Sequence, residues 1–78
     1  MELVDFLANF ADQFDDTDPS EITAETKFRD LEEWSSLTGL SVLNMIDKKY
    51  DVRLNFAEFK TANTIQELYD LVSMYTDK

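Results

Sequence analysis

Apolar residues recur at steps of three and four in three stretches of this chain, which makes the helix its building unit. Near the amino terminus Leu3, Leu7, Phe10 and Phe14 stand four, three and four apart, with Val4 and Ala11 beside them. Such a stripe gives a helix one face for a core. Asp15-Asp16-Thr17-Asp18-Pro19-Ser20 interrupts it, because Pro19 cannot continue a helix and disfavours helix at the residue before. The first helix is therefore expected to end at about residue 15. Leu37, Leu40, Leu43, Ile46 and Tyr50 form a second stripe, with Val42 and Met45 on its flank. It opens after Ser35-Ser36, and either hydroxyl is a good N-cap. Ile65, Leu68, Leu71, Val72 and Tyr75 form the third, opened by the capping box Thr64-Ile65-Gln66-Glu67.

From about residue 16 to 35 no long periodic stretch appears. So long a connection in a compact domain is either functional or pinned, and Ile22, Phe28, Leu31 and Trp34 are spaced to pin this one. A short helical turn is expected near Ser20–Glu25. Asn55-Phe56-Ala57-Glu58 reads as a capped start to a brief helix with Phe56 and Phe59 pointing inward. Gly39 falls inside the second helix, where it costs about 1 kcal/mol relative to Ala. It either permits a close approach or is merely tolerated. One Gly and one Pro in 78 residues suit helices and not a β fold. The expectation is one all-α domain over residues 1–78, a four-helix bundle with three longer helices and a short third.

A net charge of −10 narrows the partners. Residues 1–26 carry eight carboxylates and neither Lys nor Arg. That field repels nucleic acid and anionic membranes and favours basic patches on proteins, although solubility alone accounts for it equally well. There is no Cys and no His, which excludes disulfides, thiol nucleophiles, Ser-His triads and ordinary zinc sites. Asp16-Thr17-Asp18-Pro19-Ser20-Glu21 superficially suggests a calcium loop. Its sixth position is Glu21 instead of Gly and its twelfth is Lys27 instead of Glu, so that reading fails. No apolar run approaches the roughly 20 residues of a membrane span. Met1-Glu2-Leu3-Val4-Asp5 has no basic leader region, so a cytoplasmic protein is expected. With no His, no Cys and no glycine-rich phosphate loop it is expected to be non-catalytic, and a monomer without stable membrane insertion is expected besides.

From Trp34-Ser35-Ser36-Leu37 onward the chain resembles the acyl carrier protein family. Members attach 4′-phosphopantetheine to the Ser of an Asp-Ser-Leu motif, after a long loop and at the start of the second helix. The likeness covers nearly the whole chain: an acidic first helix, a loop anchored by Phe28 and Leu31, Ser36-Leu37, and Tyr50-Asp51-Val52-Arg53-Leu54 closing the second helix. Phe56–Ala62 matches the short third helix, and Thr64-Ile65…Leu68…Leu71-Val72 the opening of the fourth. The resemblance implies Ser36 as the attachment site, since Leu37 supplies the apolar residue that comes after the modified serine. It implies a phosphopantetheinyl transferase and acyl-loading and acyl-processing enzymes as partners. It also implies a role that presents thioester cargo and catalyses nothing. Leu40, Phe56, Phe59 and Ala62 correspond to the space where members sequester an acyl chain. Trp34, immediately before the site, is expected to be a loop anchor, with contact to the arm as the alternative.

Two departures stand out. The motif Asp is Ser35 here, and residues 36–54 hold Asp47 and Asp51 against Lys48, Lys49 and Arg53, a net charge of +1 where the family is usually acidic. A specialised pathway, more than general fatty-acid synthesis, is the expectation. Rival readings are an aminoacyl or peptidyl carrier, and an unmodified acidic helical adaptor in which Ser36 is only an N-cap.

Overall fold

The computed structural model describes residues 2–76. Met1, which heads the segment read for a leader, and the last two residues of the expected 1–78 domain lie outside the described residues. Four α-helices run in order: α1 Leu3–Ala11, α2 Ser36–Tyr50, α3 Phe56–Phe59 and α4 Ile65–Thr76. Two 3₁₀ turns, Pro19–Glu21 and Phe28–Asp30, lie in the long α1–α2 connection. There is no strand among the described residues.

α1 stops at Ala11, four residues short of the expected end. Beyond it Gln13 and Phe14 donate to the carbonyls of Phe10 and Ala11, three residues back, so the last turn tightens while still burying Phe14. Its inward row is Phe6, Phe10 and Phe14; Leu3 and Leu7 flank that row and Val4 is exposed. The rings continue as a chain of contacts through the core. Phe6 meets Tyr69 of α4 at 5.6 Å, Phe10 meets Phe28 at 5.6 Å, and Phe28 meets Phe59 of α3 at 5.7 Å. Edge and offset ring pairs add to the burial term, which is about 1.5–3 kcal/mol for each large apolar side chain fully removed from water.

The seam of α2 is rotated from the leucine stripe. Gly39, Val42, Met45 and Ile46 are buried. Leu43 and Tyr50 are half-buried, while Leu37 is 76% exposed and Leu40 48%. The Gly39–Val42–Ile46 row sits on the same three-and-four spacing, and Trp34 packs over the helix at Gly39. Asn9 Nδ2 donates to the Tyr50 hydroxyl at 2.9 Å and so ties α1 to the far end of α2. Asp51 then turns into the left-handed region at φ 57°, a conformation short polar side chains tolerate, and ends the helix.

α3 starts with the capping box as expected, Asn55 and Glu58 each bonding the other's backbone N–H. Only its far aromatic goes inward: Phe59 is buried, whereas Phe56 is 53% exposed. The two rings share a face of α3, as residues three apart do, but Phe56 stands at the helix's open start, where it lines the groove beside Ser36 and is not covered by the core. α4 buries Ile65, Leu68 and Val72 with Leu71 half-covered, and Tyr75 is exposed instead of buried. Its capping box also forms, with Thr64 Oγ accepting from the Glu67 N–H at 3.2 Å.

The long connection is pinned where the apolar residues fall. Ile22 and Phe28 are buried, Leu31 and Trp34 partly so. Its carbonyls add two more ties: Thr26 accepts from the Ile65 N–H at 3.1 Å and Ala24 from the Gln66 N–H at 2.8 Å. These are first-turn amides of α4 that would otherwise lack partners.

Candidate functional site

Of the side chains expected to matter, Trp34, Ser36, Leu37, Leu40, Phe56 and Phe59 lie at or beside the head of α2. Ser35, not Ser36, is the N-cap: its Oγ accepts from the Thr38 N–H at 3.3 Å. Thr38 Oγ1 in turn donates to the Glu33 carbonyl at 3.0 Å, fastening the loop to the first turn. Ser36 is the first helical residue, exposed, and its hydroxyl makes no hydrogen bond among the described residues. The first-turn N–H groups of Ser36 and Leu37 have no helical acceptor. Together with the positive end of the helix dipole they suit an anionic ester on that hydroxyl.

Beside Ser36 opens a groove of about 470 Å³ between α2 and α3. Trp34, Gly39, Leu40, Phe56 and Phe59 form its apolar walls, and Ser35, Ser36, Arg29 and Lys60 its polar rim. Ala62, expected here, is buried in the core and does not line it. Trp34 is held from behind by rings, with Phe28 at 5.0 Å, Phe59 at 6.0 Å and Phe14 at 6.4 Å. The same residue is thus both loop anchor and groove wall. A Cβ on Gly39 would stand 3.4 Å from Trp34 Cζ2 and 3.7 Å from the Phe59 ring, ordinary contact distances, so the groove floor has room there for a methyl group and little more.

Arg29 escapes a reading of the sequence. Its guanidinium donates to the carbonyls of Ala62 at 2.5 Å and Phe59 at 2.7 Å, and lies over the Phe28 and Phe59 rings at 4.7 and 5.3 Å. It closes the carboxyl end of α3 and fixes one wall of the groove. No spacing rule finds it, because its partners lie some 30 residues away.

Glu33 escapes it too. Its carboxylate accepts from the Thr17 hydroxyl at 2.5 Å and from the N–H groups of Asp16 at 2.8 Å and Asp15 at 3.1 Å. Chiefly the Thr17 hydroxyl, helped by those amides, holds Glu33 below the ordinary glutamate range. Asp18 is likewise lowered, first by the Ser20 N–H it accepts at 2.9 Å. One carboxylate therefore gathers the turn after α1 against the segment that presents Ser36.

The outer surface around the serine is apolar. Leu37, Leu40 and Phe56 are exposed next to it, while Lys48 and Lys49 lie at the opposite end of α2, about 18 Å along the helix in its last turn, where cations suit the helix dipole. Arg53 pairs with Asp47 at 3.4 Å on the exposed surface, an arrangement of little energetic weight. No described helix is long and apolar enough to cross a membrane.

A family model described as "Phosphopantetheine attachment site" matches residues 3–72. No curated protein and no solved structure matches the chain.

Proposed function

The chain belongs to the phosphopantetheine-attachment family, whose members carry 4′-phosphopantetheine covalently, and we propose that its residues 1–78 are one acyl-carrier domain with the arm on Ser36. A carrier role comes with the family, as do meetings with modifying and acyl-processing enzymes; members of this family do not catalyse.

One observation carries the choice of residue. Ser35 spends its oxygen on the cap, whereas Ser36 keeps its hydroxyl free at the mouth of the groove. The residues there fit the group: two outward first-turn amides suit its phosphodiester, and the apolar trough beside them suits the rest of the arm and its cargo. When bound, the arm supplies the thiol on which cargo rides as a thioester, and this chain has no cysteine to compete with it. The protein's own residues do the rest. Ser35 and Thr38 fix the first turn of α2, Trp34 and Gly39 shape the trough, and exposed Leu37 offers an apolar contact to the transferase. Tethering raises the local concentration of cargo at each partner enzyme without any new contact.

The cargo is an acyl group in fatty-acid, polyketide or related specialised biosynthesis, handled by a cytoplasmic monomer. The acidic first third supports the acyl type over an aminoacyl or peptidyl carrier. The net +1 of residues 36–54 favours a specialised partner set, because enzymes that dock on acidic carriers lose complementarity there. Equal efficiency with a standard fatty-acid synthase set and with its own neighbours would count against specialisation. Co-expression with a broad-specificity phosphopantetheinyl transferase tests the attachment. The intact mass is expected to rise by one phosphopantetheinyl group, one titratable thiol should appear, and Ser36→Ala should abolish both. An unchanged wild-type mass would leave the acidic adaptor as the better account.

A further inference from the structure

The groove beside Ser36 differs in charge from the rest of the protein. The chain has 17 carboxylates against 7 Lys and Arg, yet the charged residues lining the groove are Arg29 and Lys60, with no Asp or Glu among them. Nearby carboxylates are engaged elsewhere. Glu58 bonds the Asn55 N–H and receives the Tyr75 hydroxyl, and Glu33 gathers the 15–17 turn.

The two cations are not equivalent. Arg29 is committed to the carbonyls of Phe59 and Ala62, which accounts for its presence without any ligand. Lys60 is not committed. Its backbone N–H closes α3 by donating to the Phe56 and Glu58 carbonyls, but its ammonium has no hydrogen bond or ion pair among the described residues. Lys60 is exposed at the rim, so its ammonium is free to swing toward an anion brought to the groove.

We propose that Lys60 makes this groove an anion subsite, taking an anionic oxygen group borne by the arm on Ser36. That group is either the arm's own phosphodiester or a carboxylate at the far end of a short acyl cargo, as in the half-thioester of a dicarboxylic acid. In the second case the cargo's methylenes lie along Trp34, Leu40, Phe56 and Phe59 while its terminus meets the ammonium. The subsite rests on Ser36 bearing the arm.

The test compares cargoes of equal length and different charge. The whole chain is loaded by a broad-specificity transferase from coenzyme A, butyryl-coenzyme A or succinyl-coenzyme A, and each product is checked by intact mass. The Lys60 side-chain carbon and Trp34 indole resonances are then read by NMR in wild type, Lys60→Gln and Lys60→Arg. Shifts of the wild-type Lys60 and Trp34 signals in all three loaded forms, with the Trp34 shift lost in Lys60→Gln and kept in Lys60→Arg, support the subsite and identify the phosphodiester as its anion. A shift confined to the succinyl form, with the same dependence on Gln and Arg, supports it and identifies the cargo carboxylate. Loaded protein whose Lys60 signals match the unloaded chain in every form overturns the subsite alone. An unchanged mass overturns the Ser36 assignment and the subsite with it.

Discussion

Ser35 and Ser36 are adjacent in the chain but have opposite fates, the first bonded through Oγ to the Thr38 N–H at 3.3 Å and the second left unbonded at the first helical position. With the arm on Ser36 as proposed, the division separates stability from attachment. Ser35→Ala removes a cap and is expected to lower stability by about 0.5–2 kcal/mol while the arm still attaches. Ser36→Ala should change stability by no more than about 0.5 kcal/mol, since it breaks no contact, and should end attachment. Ser35→Asp restores the motif residue and retains a capping oxygen, so stability should stay close to wild type and transferase kcat/KM should rise. Urea unfolding and intact mass read the two properties independently.

Gly39 invites a change of opposite sign. Alanine at this helical position gains about 1 kcal/mol of propensity. Its Cβ would meet Trp34 at 3.4 Å and Phe59 at 3.7 Å, close to ordinary contact distances. Gly39→Ala is expected to raise the urea midpoint, by up to about 1 kcal/mol in free energy. Gly39→Leu should reverse the gain, because a longer side chain has to displace the indole, and Trp34 fluorescence should report the displacement.

How far the sequence can be read depends on which partners are local. Both capping boxes and the anchors Ile22 and Phe28 involve residues whose signals lie within a few positions, and each stands where the spacing places it. The faces of α2 are harder. Leu37-Leu40-Leu43 and Gly39-Val42-Ile46 share one period, and bulk favours the leucines, yet packing selects the row that faces Trp34 and the core. In α1 the Phe6-Phe10-Phe14 row is regular at steps of four, but Leu3 and Leu7 offer a competing stripe of the same kind, and only packing decides between them. Arg29 and Glu33 are not legible, because their partners come from chain segments brought near only by the fold. The order of elements is readable; the groove wall is not.

Arg29 shows how much a single non-local contact holds. Hydrogen bonds from a charged donor contribute about 1.5–3 kcal/mol, and this guanidinium makes two to the end of α3. Arg29→Met keeps the stem against the rings but removes the fork, and should lower stability by about 1.5–3 kcal/mol. Arg29→Lys should recover only part, since an ammonium is a point charge that cannot match two carbonyls in a plane. The ring resonances of Phe59 should shift in both variants, since α3 loses its tether to the loop. Unchanged Phe59 signals in the Met variant would mean the fork does not position α3.

Acid should loosen the turn after α1, and the sign is set by Glu33. Its folded pKa is lowered, by the Thr17 hydroxyl first and then by the Asp16 and Asp15 amides. A lowered carboxylate stabilises the fold fully above its unfolded pKa, and that contribution fades as pH falls through the folded value. Asp18 acts in the same direction through Ser20. The overall charge works against both, because protonating other carboxylates of a −10 chain relieves repulsion as pH drops. The Glu33 part is therefore read as a difference. Glu33→Gln should be less stable than wild type at pH 7, and the gap should narrow steadily below the ordinary glutamate range, as urea midpoints across pH 7 to 3 would show. A gap that stays constant over that range would mean the Glu33 charge plays no part in holding residues 15–17 to the segment that presents Ser36.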